Sequence, residues 1–161
     1  MSRGFRNGLS TVFAVAALAA SGEAQTNESA PSPRVVFVCE HGAAKSVIAT
    51  AYFNKIAAER GLPDRAIYRG ANPQAELSVS ALKGLKEDGL ALPTDKPSPI
   101  TNADVTAATH ICASGCTLPS HAASSGKADS CDDVPEDQGY AAQREAIKRH
   151  VERLIDQLQK R

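Results

Sequence analysis

Hydrophobic and polar residues follow two periods along this chain, and the change from one to the other predicts alternating strands and helices. The continuous apolar run 35–38 (VVFV) is typical of a strand buried on both faces, and it ends at Cys39. From about residue 43 to residue 60, apolar side chains recur at helical spacing, and Gly61 and Pro63 then stop the helix. The pattern therefore predicts a strand, a turn and a helix in succession.

The same two periods continue through the middle of the chain. Residues 66–69 (AIYR) are typical of a second strand, which runs into a loop over 70–73 (GANP). Ser78 is a favourable N-cap for a helix that ends at Gly89. We expect this helix to direct three side chains inward, namely Val79, Leu82 and Leu85.

The second half of the chain carries signals of unequal strength. The Pro-rich segment 93–99 should be extended or turning, 101–108 suits a short helix, and 110–112 suits a strand. The small polar residues 119–130 predict a mobile loop. The last helix is marked by an apolar stripe of Ile147, Val151, Leu154 and Leu158. This alternation predicts one doubly wound α/β domain with a parallel sheet, in which ligands bind at the carboxyl ends of the strands.

The first residues have the pattern of a secretory signal. Arg3 and Arg6 precede an uncharged run over 9–20, which is too short to span a bilayer, and small residues that suit signal peptidase follow. We expect three parts, namely a cleaved signal peptide over 1–24, a polar linker over 25–33 and a domain over 34–161. The mature protein would be exported, periplasmic or secreted, with no stable membrane insertion.

Charge and composition exclude one class of partner. Lys plus Arg and Asp plus Glu both total 18, so the formal net charge is zero, and the chain has no Trp. A neutral chain with few aromatic residues lacks the basic surface and the stacking platforms of nucleic-acid binders. Anion binding must therefore be local, while the oligomeric state stays open.

Export changes the interpretation of the four cysteines, Cys39, Cys112, Cys116 and Cys131. In an oxidising compartment they can form up to two disulfides, and the sequence does not choose among the three full pairings. The spacing of Cys112 and Cys116 also suits half of a metal site. Because no second pair with zinc-finger spacing follows, we expect no metal.

Cys39 opens a loop, 39–46 (CEHGAAKS), between the first strand and the first helix. Unpaired N–H groups and the positive end of the helix dipole favour a thiolate there, and the same groups can hold a tetrahedral oxyanion. We expect the substrate to be bound by the residues that follow the cysteine, namely Glu40, His41, Gly42, Ala43 and Ala44.

Three residues of the loop have specific predicted roles. Gly42 can adopt a positive φ at no steric cost, which lets the backbone curl closely around an anion. Lys45 adds positive charge at the rim. Ser46 can donate a hydrogen bond to the Cys39 thiolate. We therefore predict that Cys39, Lys45 and Ser46 take part in catalysis.

The stretch 35–46, VVFVCEHGAAKS, resembles the active-site loop of low-molecular-weight protein tyrosine phosphatases and of the thioredoxin-coupled arsenate reductases that share their fold. That family's signature is a Cys, five residues, an Arg and then a Ser or Thr. The resemblance covers about residues 34–161 and implies a single domain with a four-stranded parallel sheet flanked by helices. It also implies phosphomonoester hydrolysis through a phosphocysteine at Cys39, with no metal or cofactor.

Two positions depart from the family pattern. Lys45 stands where the family has Arg, which keeps the charge but loses the planar fork that binds two phosphate oxygens at once. The family's Asp-Pro, whose Asp protonates the leaving group, is absent from this chain. An acidic segment lies in the corresponding region, so Asp133 is our candidate general acid, with Glu136 and Asp132 behind it.

Two other functions remain open. An arsenate reductase would pass oxidation from Cys39 to Cys112 and Cys116, although we favour a structural disulfide for that pair because an exported protein lacks the cytosolic thioredoxin system. A non-catalytic oxyanion-binding relative is the other alternative. The expected partner in every case is a phosphorylated or arsenate oxyanion.

Overall fold

The computed structural model describes residues 35–135 and 138–161. The predicted signal peptide and linker lie outside the described residues, as does Glu136. No helix in the described ranges has the length and apolar character needed to cross a membrane.

A parallel sheet of four strands forms the centre of the domain, as the fold prediction requires. The strands are β1 (Val35–Cys39), β2 (Ala66–Gly70), β3 (His110–Ser114) and β4 (Ala128–Ser130). Their spatial order is β2-β1-β3-β4, with every pair parallel. The register places Cys39, at the carboxyl end of β1, beside Gly70 on one side and Ser114 on the other.

Within residues 35–135 and 138–161, five helices flank the sheet. They are α1 (Lys45–Glu59), α2 (Val79–Glu87), α3 (Asn102–Ala107), α4 (Ser120–Ala123) and α5 (Gly139–Leu158). Ser78 caps α2 by accepting a hydrogen bond from the Ala81 N–H, and Thr101 forms a capping box with Asp104 at the start of α3. The predicted helices are thereby confirmed.

The continuous apolar run of β1 is explained by burial on both sides of the sheet. Val35 and Phe37 face the larger core, which is shared with α1, α2 and α5. Val36 and Val38 face a second core on the opposite side, together with Ile111. Because successive side chains of a strand alternate between faces, a strand between two cores needs apolar residues at every position.

The inward face of α2 differs from the prediction. Val79 is 80% exposed and Leu82 is only half-buried, whereas Ala81, Gly84 and Leu85 are buried. The buried residues follow the helical i, i+3 and i+4 pattern, and Val79, two residues before Ala81, points to the opposite side of the helix. The prediction for Val79 was wrong because a short apolar pattern fits more than one face.

The segment 119–130 is not the loop that its composition predicts. It contains α4, whose Ala122 is fully buried, and β4, which pairs with β3. Strand pairing uses main-chain groups, so the small polar side chains of β4 do not prevent it. Composition alone misses such an edge strand.

The favoured disulfide between Cys112 and Cys116 is also wrong. Cys112 is bonded to Cys131, and Cys116 is a free cysteine. Cys112 belongs to the larger core, whereas Cys116 packs against the core on the other face of the sheet. The sheet therefore separates the two residues despite their proximity in sequence.

A polar cluster joins α1, α2 and α5 at one end of the larger core. The Asp88 carboxylate accepts hydrogen bonds from the Tyr52 and Tyr140 hydroxyls, both at 2.6 Å, and from Arg144 at 3.0 Å. Burial alone raises the pKa of Asp88, but the two hydroxyls and the guanidinium outweigh it and leave that pKa lowered. Gly84 packs directly on the Tyr140 ring, where a Cβ atom would overlap the ring carbons.

We predict that Gly84→Ala lowers the free energy of unfolding by about 1–3 kcal/mol, because the added methyl group displaces Tyr140 and disturbs its bond to Asp88. Alanine would otherwise stabilise a helix by roughly 1 kcal/mol relative to glycine, so the sign of the change is informative. Urea unfolding measures the difference. The exposed neighbour Lys83→Ala is the control and should change stability by less than about 0.5 kcal/mol. A Gly84→Ala protein as stable as the wild type would contradict this packing.

Candidate active site

The loop between β1 and α1 turns its carbonyl groups away from its centre. Four of its main-chain oxygens accept hydrogen bonds from the N–H groups of segment 71–78: Cys39 from Ala71 (3.0 Å), Glu40 from Asn72 (2.8 Å), His41 from Gln74 (3.2 Å) and Ala43 from Ser78 (3.0 Å). The C=O and N–H of a trans peptide unit point in opposite directions. The N–H groups of the following residues therefore face inward, namely those of Glu40, His41, Gly42 and Ala44.

Gly42 makes this curvature possible, as the sequence predicts. Its φ is +62°, and a Cβ atom would lie 2.7 Å from the Gly70 nitrogen and 2.9 Å from the Gly70 Cα. No side chain can occupy that space, because the contact is with backbone atoms that are held in β2. The loop therefore sits directly on the end of the neighbouring strand.

Cys39 and Ser46 lie side by side at the base of the loop. The Cys39 Sγ and Ser46 Oγ atoms are 3.2 Å apart, and both residues are buried. Ser46 is the second residue of α1, so the thiol also lies close to the positive end of the α1 dipole. A hydroxyl hydrogen bond, a helix N-terminus and inward N–H groups all stabilise negative charge at this position.

An open cleft of about 500 Å³ lies over the loop. It is lined by five predicted site residues besides Cys39, namely Glu40, His41, Ala43, Ala44 and Lys45. Lys45 is only 9% exposed, so most of its side chain is removed from solvent. A positive charge shielded from water acts more strongly on an anion in the cleft.

Four further lining residues were not predicted from the sequence, namely Gln74, Ser78, Gly115 and Gln143. Gln74 and Ser78 belong to the segment that holds the loop carbonyls, and Gly115 follows β3 directly. Gln143 comes from α5, where a polar position on an amphipathic helix gives no signal of function. Ligands of parallel sheets bind at the carboxyl ends of the strands, which predicts the edge of the sheet where the site lies but not these individual side chains.

Asp132 contacts the rim of this cleft. Its Oδ1 atom accepts a hydrogen bond from the Gly115 N–H at 2.8 Å, and its other oxygen accepts from the Ser130 hydroxyl. These two hydrogen bonds lower the pKa of Asp132, and the charge of Lys45 lowers it further. Asp132 therefore carries a negative charge at neutral pH, and this charge is attracted by the positive charge of Lys45.

Asp133, the first candidate acid, has another partner. Its carboxylate contacts the Nε2 atom of His150 on α5, and its side chain is 61% exposed. Burial lowers the pKa of His150, an effect that outweighs the attraction of Asp133. Of the two aspartates, Asp132 therefore contacts a residue that lines the cleft, whereas Asp133 contacts α5.

Cys116 is a second free cysteine and lies near the loop. Its thiol donates a weak hydrogen bond to the Val38 carbonyl at 3.8 Å, on the residue before the predicted nucleophile. Burial and then the charge of Cys39 raise the pKa of Cys116 to about 11. Cys116 is therefore a neutral thiol at physiological pH.

Comparison with known protein families shows the family to which this chain belongs. A family model described as low molecular weight phosphotyrosine protein phosphatase matches residues 34–114, which are 81 of the 161 residues and include the whole loop. The chain belongs to this family. The predicted family and enzyme class are thus confirmed, while a sequence search of curated proteins finds no match.

Solved structures share the fold. YfkJ from Bacillus subtilis aligns with a TM-score of 0.67 at 19% identity, over 80% of this chain and 95% of that one. YwlE arginine phosphatase, also from Bacillus subtilis, aligns with a TM-score of 0.68 at 21% identity, over 79% and 96%. The thioredoxin-dependent arsenate reductase Cg_ArsC1' from Corynebacterium glutamicum gives 0.59 at 24% identity, over 82% and 62%. At these identities the similarity establishes the fold of this phosphatase-family domain.

We predict that Ser46→Ala slows alkylation of Cys39 by iodoacetamide at neutral pH roughly tenfold. The hydroxyl hydrogen bond stabilises the reactive thiolate, and a hydrogen bond to a charged group is worth about 1.5–3 kcal/mol. Mass spectrometry of the labelled peptides measures the rate. Cys116 is the internal control, since its raised pKa keeps it slow to react in both proteins. Equal rates for Cys39 in the two proteins would show that Ser46 does not stabilise the thiolate.

Proposed function

We propose that this protein hydrolyses phosphate monoesters through a phosphocysteine at Cys39. The observation that carries the proposal is the set of four loop carbonyls bound from outside, which turns N–H groups inward around a cysteine whose sulfur lies 3.2 Å from the Ser46 hydroxyl oxygen. Such donors stabilise the negative charge on the non-bridging oxygens of a phosphoryl group during transfer. Family membership supports the same chemistry.

Two displacements complete the proposed reaction. In the first, the Cys39 thiolate attacks phosphorus, an S–P bond forms, the ester P–O bond breaks and the leaving oxygen takes a proton. In the second, water attacks phosphorus, the S–P bond breaks, and inorganic phosphate leaves with the thiolate restored. Ser46 stabilises the thiolate before the first step and again after the second.

Lys45 supplies a point charge in the wall of the cleft in place of a bidentate guanidinium. An ammonium group attracts the phosphoryl oxygens but does not bind two of them in one plane. We therefore propose that Lys45 strengthens anion binding and contributes less to the transition state than an arginine would.

The general acid is proposed to be Asp132, ahead of Asp133, because Asp132 contacts Gly115 at the rim of the cleft. Its pKa is lowered in the ligand-free protein, so it needs a proton from the incoming phosphate monoanion before it can protonate the leaving group. Turnover should accordingly be faster at mildly acidic pH than at alkaline pH.

We predict that purified protein turns over 4-nitrophenyl phosphate and that Cys39→Ser abolishes this activity by removing the nucleophile. Lys45→Arg should raise kcat roughly tenfold, and Lys45→Met should lower kcat roughly tenfold. These factors are smaller than the factor of about 10²–10³ that removal of one donor to the transition-state oxyanion typically costs, because Lys45 is a weaker oxyanion clamp. Cys116→Ser is the matched control, and its activity should equal that of the wild type. If Lys45→Arg failed to raise kcat, the view of Lys45 as a weaker oxyanion clamp would be wrong.

The same proteins test the two alternatives. A reductase would consume a thiol reductant in the presence of arsenate and would need Cys39, Cys112 and Cys116. The disulfide between Cys112 and Cys131 leaves Cys112 without a free thiol for that relay, which is why phosphate hydrolysis ranks first. A binding protein would retain phosphate or arsenate in equilibrium dialysis and turn over neither.

We further propose that the protein is exported and acts in an oxidising compartment. The signal-like sequence over 1–24 supports this, and a disulfide between two buried cysteines is consistent with it. Expression of the full chain with a C-terminal tag should yield a mature form that starts near Gln25 in the exported fraction, as determined by N-terminal sequencing. Full-length protein confined to the cytoplasm would contradict export.

A further inference from the structure

The Cys112–Cys131 disulfide connects two segments that meet at the rim of the cleft. Cys112 lies in β3, three residues before Gly115, which lines the cleft. Cys131 follows β4 and directly precedes Asp132. The bond therefore joins the strand next to β1 with the start of the acidic segment.

Three hydrogen bonds continue the connection toward the site. The Cys131 N–H donates to the Ala113 carbonyl at 2.6 Å, and the Ser114 hydroxyl donates to the Cys131 carbonyl at 3.2 Å. The third bond joins the Gly115 N–H to the Asp132 carboxylate at 2.8 Å. Residues 131–132 thus run alongside 113–115, and Ser114 is the register partner of Cys39.

The disulfide also packs beneath the loop itself. Both of its cysteines line a small cavity of about 10 Å³ together with Lys45 and Ser46. Cys112 is 7% exposed and Cys131 is 8% exposed, so the bond is shielded from solvent. A rigid cross-link at this place limits movement of the segment 131–132 relative to the floor of the cleft.

Without the cross-link, the segment 131–132 would depend on these three hydrogen bonds and on the short strand that precedes it. β4 has three residues, lies at the edge of the sheet, and two of those residues are exposed. An exposed edge strand of this length opens at little free-energy cost, and the carboxylate that follows it would move with it.

We propose that the Cys112–Cys131 disulfide is a positioning element of the active site, which holds the Asp132 carboxylate at the rim of the cleft beside Gly115. This inference rests on the proposed hydrolysis at Cys39 and specifies which part of the structure positions the general acid of that reaction. The protein then needs two oxidation states at once, a thiolate at Cys39 and a disulfide between Cys112 and Cys131.

Leaving groups of different acidity provide the test. In a Cys112→Ala/Cys131→Ala protein, kcat/KM for phenyl phosphate, whose leaving oxygen needs a proton, should fall at least about tenfold, since general acid catalysis contributes roughly 10²–10⁴. This ratio reports the first displacement, whereas the hydrolysis of the phosphocysteine is common to all esters. For 2,4-dinitrophenyl phosphate, whose leaving group needs no proton, the loss should stay below about threefold. Cys116→Ala is the matched control and should retain wild-type kcat/KM for both esters. Equal losses for the two esters, or no loss for either, would overturn the proposal.

A double-mutant cycle separates positioning from general loss of structure. If the disulfide acts through Asp132, then Asp132→Ala should lower kcat/KM for phenyl phosphate much less in the disulfide-free protein than in the wild type. Independent factors that simply multiply would contradict a role through Asp132. Circular dichroism and thermal unfolding show whether every variant is folded at the assay temperature.

The Gly115 amide gives a readout that does not depend on activity. In the wild type its NMR chemical shift should follow the titration of Asp132, and its hydrogen exchange should be slow. Both properties should be lost in the disulfide-free protein, with exchange at least about tenfold faster. Retention of both would overturn the positioning role. A wild-type protein that turns over no phosphate ester would instead refute the proposed function. The Gly115 amide would still show whether the disulfide holds Asp132 beside Gly115.

Discussion

Contact between the backbone of loop 39–46 and the end of β2 is the constraint on which the site depends. Gly42 lies against Gly70 so closely that no side chain fits at position 42, and segment 71–78 binds the loop carbonyls from outside. Because each bound carbonyl turns the next N–H inward, the anion site follows from the register of two parallel strands. Cys39 is the last residue of β1, so the strand itself places the thiol beside these N–H donors.

The charge distribution of the site is asymmetric. Fixed main-chain dipoles and the α1 N-terminus face the cleft from below, Lys45 contributes a shielded cation, and Asp132 adds an anion at the rim. Such a cleft binds a tetrahedral oxyanion mainly through preorganised neutral donors. The replacement of arginine by lysine therefore affects the transition state more than it affects the existence of the site.

The sheet separates the free cysteine Cys116 from the disulfide between Cys112 and Cys131. Cys112 faces the α1 and α5 side, where it is bonded to Cys131, whereas Cys116 lies on the opposite side beside the Val38 carbonyl. A free thiol that stays protonated is a poor nucleophile for disulfide exchange, so Cys116 does not compete for the buried bond. The free thiol of Cys116 and a structural disulfide can thus persist in one small domain.

The sequence by itself determined the strand-turn-helix unit, the positive φ of Gly42 and the contact between Cys39 and Ser46, because each involves residues close together in the chain. The parallel sheet was predicted from the alternation of strand and helix patterns along the whole chain. Local patterns failed for β4, for the buried face of α2 and for the partner of Cys112, each of which is chosen by a distant segment. Whether Asp132 or Asp133 meets the cleft, and that Gln143 lines it, was likewise decided only by tertiary packing. Neighbouring carboxylates look equivalent in a sequence, and only the fold gives one of them Gly115 and the other His150.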